Sequence, residues 1–96
     1  MVRAIAPSVE TDLVRDEFAR IAEIRSVYAF FRNNVCHVTV ALDHKDYALE
    51  DRIYDSEYSL MERTGLRFEV NIVVLAGRKL QDVLTPLGEL LIQRAA

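Results

Sequence analysis

Two adjacent asparagines, Asn33 and Asn34, separate two hydrophobic runs rich in β-branched and aromatic residues, Ser26 to Arg32 and Val35 to Asp43. No other feature of the chain constrains its fold as much. Asparagine tolerates positive φ better than most residues, and a two-residue type I′ turn demands positive φ at both centres. A hairpin closed at this point pairs Phe31 with Cys36, Ala29 with Val38 and Val27 with Val40, and with Leu42 these make one apolar face. Side chains alternate along a strand, so the same register sends Tyr28 and Thr39, Phe30 and His37, and Arg32 and Val35 to the other face. That second face is only half polar.

The flanking segments change period. From Ser8 to about residue 24, Leu13, Val14, Phe18, Ile21 and Ala22 recur at helical spacing, with Arg15, Asp16, Arg20 and Glu23 on the other side. Ser8 is the expected N-cap. After the hairpin, Asp43 or Asp46 caps a helix that runs to about Thr64 and stops at Gly65. Leu49, Ile53, Leu60 and Thr64 fall on its apolar stripe. Phe68, Val70, Ile72 and Val74 then alternate with Arg67, Glu69, Asn71 and Val73, which predicts a third strand ended by Gly77-Arg78-Lys79. A short helical turn is expected over Leu80 to Leu84, broken by Thr85-Pro86. Pro86 and Gly88 argue against helix in the tail, so Glu89 to Arg94 is read as extended.

The resulting order is α-β-β-α-β with a C-terminal appendage. It predicts an α+β two-layer sandwich, with the helices on one face of a small mixed sheet of three strands, or four if the tail joins. The segment from the second strand through the helix to the third is long enough for a right-handed crossover, which makes those two strands parallel. With 96 residues the chain is one domain, residues 8–75 forming the core and 76–96 the appendage.

Composition narrows the function classes. With 51% hydrophobic and 28% charged residues the chain reads as a globular domain. No apolar run approaches the roughly 20 residues that span a bilayer, and the start from Met1 to Pro7 is too short for a secretory core, so no membrane association and a cytoplasmic location are expected. A net charge of −3 gives no footprint for nucleic acid, whose binding needs clustered cations. One cysteine, Cys36, excludes a disulfide framework and a Cys-x-x-Cys site.

Candidate chemistry is sparse. His37, Asp43, His44 and Asp46 carry metal-ligand chemistry, but His37 and His44 lie roughly 23 Å apart along an extended strand. The aspartates are better read as caps, so no metal and no cofactor are expected. Cys36 points into the apolar face, where a thiol behaves as a small hydrophobe. Glu57 falls at the edge of the apolar stripe, where burial would raise its pKa. It would serve as a general acid or base, or else angle out to pair with Arg52, Arg63 or Lys79. Glycines at 65, 77 and 88 make no phosphate loop, and no nucleophile elbow is present, so no catalytic residue is assigned.

The aromatic residues say more. Tyr47, Tyr54 and Tyr58 fall within about 40° of one another on the second helix, away from its apolar stripe, with Met61 beside them. Tyr28, Phe30, Val35 and His37 gather on the outer face of the hairpin. Aromatic residues are enriched at protein interfaces, so these seven positions are the candidate interface residues. The leucines of the tail offer an alternative cover for either surface.

The run Val38-Thr39-Val40-Ala41-Leu42-Asp43 leading into an acidic helix, within the order αββαβ over residues 9 to 75, resembles the dimeric cytosolic domain of cation diffusion facilitator transporters. That family places metal-binding histidines in this strand and helix, where Thr39 and Arg52 stand here, so the resemblance does not imply metal binding. The order also resembles the minimal nucleotidyltransferase domain. Phe31-Arg32 and His37-Val38-Thr39 occupy the places of its Gly-Ser and Asp-x-Asp motifs, which implies a degenerate, non-catalytic relative.

The reading that follows is a small cytoplasmic binding or interaction module, a homodimer through its outer sheet face. A small-ligand or metal-sensing domain using His37, His44, Asp43 and Asp46 is the alternative. An enzyme without a signature, centred on Glu57 and His37, is the third.

Overall fold

The computed structural model describes residues 7–83, 85 and 88–94. The elements follow the order α1 (Pro7–Ala19), β1 (Ile24–Arg32), β2 (Val35–Leu42), α2 (Tyr47–Thr64), β3 (Arg67–Val74), α3 (Leu80–Val83) and β4 (Glu89–Gln93). The four strands form one mixed sheet in the order β3-β2-β1-β4. The tail is therefore a strand, and it closes the β1 side of the sheet.

Asn33 and Asn34 hold φ at 52° and 64°, the conformation a type I′ hairpin requires. The register follows from it: Phe31 stands opposite Cys36, Phe30 opposite His37, Tyr28 opposite Thr39 and Val27 opposite Val40. A bulge at Arg25 lets Ile24 still pair with Leu42. β2 and β3 run parallel over their full length, with His37 beside Glu69 and Val40 beside Ile72. β4 pairs antiparallel with β1, bringing Ile92 beside Val27.

α1 and α2 cover one face of the sheet. Val14 and Phe18 from α1, with Leu49, Ile53 and Leu60 from α2, meet Val27, Cys36, Val38, Val40 and Leu42 in one buried core. Asp46 is the residue that caps α2, its carboxylate accepting from the Leu49 amide at 3.1 Å. Asp43 accepts instead from the Arg25 guanidinium at 2.9 Å. Gly65, at φ 72°, ends the helix with its amide donating to Met61 O at 2.9 Å.

Two expectations for α1 need correction. The helix starts at Pro7, so Ser8 falls within its first turn rather than ahead of it, and the capping role of the Ser8 side chain lies outside the described residues. The helix also ends at Ala19, not near residue 24. Ile21 N donates to Phe18 O and Ile24 N to Ile21 O, so the chain leaves the helix through two tight turns that keep both isoleucines buried. The carbonyls released there are taken up by Arg94, whose guanidinium donates to Ala19 O at 2.9 Å, Ile21 O at 2.8 Å and Ile24 O at 3.0 Å.

The outer face is partly covered too. Leu80 and Val83 of α3 pack on Ala41, Val73 and Leu75 in a second, smaller apolar cluster. The appendage thus shields the β2–β3 C-terminal end of that face.

Candidate functional site

Strand alternation fixes what the uncovered part of the outer face presents. Tyr28 and Phe30 come from β1, Val35, His37 and Thr39 from β2, and Glu69 and Asn71 from β3. All five residues from β1 and β2 are half-buried, while Glu69 and Asn71 are exposed at the β3 edge. The Phe30 and His37 rings stack across the strands with centroids 4.7 Å apart and planes 13° from parallel. Offset stacks of this kind add about 0.5–1.5 kcal/mol beyond burial.

On the other side of the imidazole, Glu69 Oε1 lies 3.5 Å from His37 Nδ1. The imidazole thus lies between an aromatic ring on one side and a carboxylate on the other. Phe30, His37, Thr39, Glu69, Asn71 and Thr85 border an open cleft of about 450 Å³. Aromatic, hydroxyl, amide and carboxylate groups therefore share one concave surface.

The seven candidate interface residues fall into two groups on opposite layers. Tyr28, Phe30, Val35 and His37 share the outer sheet face. Tyr47, Tyr54 and Tyr58 lie on α2, in the helix layer, and stand 74%, 45% and 61% exposed. Among the described residues the tail does not reach these tyrosines, because residues 89–93 are paired with β1.

The remaining candidates are scattered. His37 lies on the outer face, His44 is exposed in the loop after β2, Asp43 is bound to Arg25, and Asp46 caps α2. Among the described residues no three His, Cys, Asp or Glu side chains converge as a metal site would need. Cys36 is fully buried, and burial first, then the nearby Glu10 carboxylate, push its thiol from 9.0 up to about 12. It has none of the activation a nucleophilic thiol needs.

Glu57 is half-buried against the β3 edge. Desolvation raises its pKa, the Val70 amide that donates to it pulls the other way, and the Glu69 charge adds to the rise. Arg52 and Arg63 do not serve it. Arg52 lies 3.6 Å from Glu23 in the turn after α1, and Arg63 2.9 Å from Glu17 on α1. Glu57 is not part of the cleft lining, so it and His37 do not form one centre.

Thr39, Glu69, Asn71 and Thr85 were not singled out from the sequence. The alternation of β3 was legible, but the residue facing His37 depends on the register of a parallel crossover, which no local turn encodes. The chain matches no protein-family model, no curated protein and no solved structure with which it was compared. Among the described residues no helix is long and apolar enough to cross a membrane.

Proposed function

We propose that this chain is a small cytoplasmic binding module that acts as a homodimer, its two copies meeting through the outer sheet face. The observation that carries this reading is the Phe30–His37 stack, flanked by Tyr28 and Val35, on a face that α3 covers only at one end. Half-buried aromatics at the centre, with Arg32, Arg67 and Glu69 exposed around them, follow the composition of an interface core and its rim. A twofold axis through such a patch brings the same residues together from both copies.

Light scattering at high micromolar concentration tests it. The wild type is expected at twice the chain mass. Phe30→Asp, which puts a charge on the half-buried ring position, is expected at the single-chain mass with its circular dichroism unchanged. A wild type that stays strictly monomeric overturns the reading.

A second reading takes the cleft as a small-ligand site. The Glu69–His37 pair favours it, because an imidazole and a carboxylate beside Thr39 and Asn71 offer donors and acceptors in a concave setting. A monomer that gains thermal stability with a ligand contacting His37 would favour this reading over the dimer.

A further inference from the structure

α2 presents a second surface, independent of the sheet face. Its buried residues, Leu49, Ile53, Ser56 and Leu60, set the direction of the core. At 100° per residue, Tyr47, Asp51, Tyr58 and Glu62 lie opposite that direction, with Tyr54 and Asp55 at their flanks. All six are exposed. The helix has two basic residues, Arg52 and Arg63, and both are drawn aside, to Glu23 in the turn after α1 and to Glu17 on α1. What α2 itself turns outward is three tyrosines and three carboxylates, with neither of its own cations among them.

The chain itself displays the chemistry this surface suits. At the N-terminal end of the stripe, Lys45 Nζ lies 4.7 Å from the centroid of the Tyr47 ring and 2.8 Å from Glu50 Oε2. One cation is thus held at once by an aromatic face and a carboxylate. Tyr54 with Asp51, and Tyr58 with Asp55 and Glu62, repeat the same combination along the next two turns without a cation of their own among the described residues.

Other occupants fit less well. The described tail residues are committed to β1. A second copy would set three carboxylates against three more, and facing like charges disfavour association. We infer that the outward face of α2 docks a basic segment of another protein, whose arginines stack on Tyr54 and Tyr58 and pair with Asp51, Asp55 and Glu62. Guanidinium groups suit such sites, since they stack on rings and bind carboxylates in one plane.

The test is an NMR titration of the full chain with a synthetic helical peptide that carries arginines along one face, beside its citrulline counterpart. Amide shifts are expected on the outward side of α2 with the arginine peptide and not with the neutral one. Tyr54→Ala combined with Tyr58→Ala is expected to weaken binding roughly five- to thirtyfold, given the usual strength of exposed cation–π contacts. Asp51→Asn with Asp55→Asn should weaken it as well. These side chains are exposed, and an unchanged thermal melt of each variant confirms the fold. Equal binding of the citrulline peptide, shifts located elsewhere, or variants that bind as the wild type does each overturn the proposal. Concentration-dependent shifts on α2 without peptide would also overturn it, by placing a second copy there.

Discussion

At the scale of single residues, Gly88 and Cys36 carry the sharpest consequences. Gly88 holds φ at 97° where the chain enters β4, and a Cβ there would collide with the Ala29 carbonyl, 2.6 Å from its carbon and 2.8 Å from Phe30 Cβ. Gly77 has a similar φ of 83° but open space around it. Gly88→Ala should therefore cost more stability than Gly77→Ala, with about 1–3 kcal/mol expected from backbone strain alone in either case. Denaturant unfolding of both variants separates the strain from the collision. Cys36 makes a pH prediction. Its folded thiol is raised to about 12, above the ordinary 9.0, because burial opposes the thiolate. A raised value means that the stability Cys36 contributes is complete below pH 9 and is lost as pH rises from 9 toward 12. Unfolding free energy measured over that window should fall more steeply for the wild type than for Cys36→Ala. Identical slopes would show that the thiol is not desolvated as described.

Among the elements, β4 decides more than its five residues suggest. Its pairing with β1 covers one sheet edge, and Arg94 just beyond it gathers the carbonyls that end α1. Charge-assisted hydrogen bonds of this kind contribute about 1.5–3 kcal/mol, so Arg94→Ala should lower stability by about that amount, measured by thermal or chemical unfolding. Local hydrogen exchange should quicken first around residues 19 to 25. The same contact explains what the sequence disclosed and what it hid. The hairpin register was legible because Asn33 and Asn34 specify it within two residues. Gly65 and Asp46 marked the ends of α2 by chemistry equally local. The end of α1 was not legible, because the group that receives its carbonyls lies more than 70 residues away. The packing of α3 on Ala41 and Val73 was hidden for a related reason. The turn that aims it places Ala76, an ordinary residue, at φ 52°, which composition does not announce.

On the scale of the whole molecule, two layers give two surfaces of different character. The sheet side offers a stacked Phe30–His37 pair beside Tyr28 and Val35, and the helix side offers tyrosines set among exposed carboxylates. The candidate aromatic residues were all visible in the sequence, and strand alternation sorted the outer four correctly. Glu69 entered only with the parallel register of β2 and β3, which brings it beside His37. Like charges on the α2 face disfavour self-pairing there, whereas the sheet face has no such obstacle, and this difference is why the proposed dimer uses the sheet. The most direct measurement is an isotope-filtered NMR experiment on a mixture of labelled and unlabelled chains, which reports only contacts between copies. Cross-copy contacts are expected among Tyr28, Phe30, Val35 and His37, and none from Tyr47, Tyr54 or Tyr58. Cross-copy contacts confined to the α2 tyrosines, or none at any concentration, would rule out the sheet-face dimer.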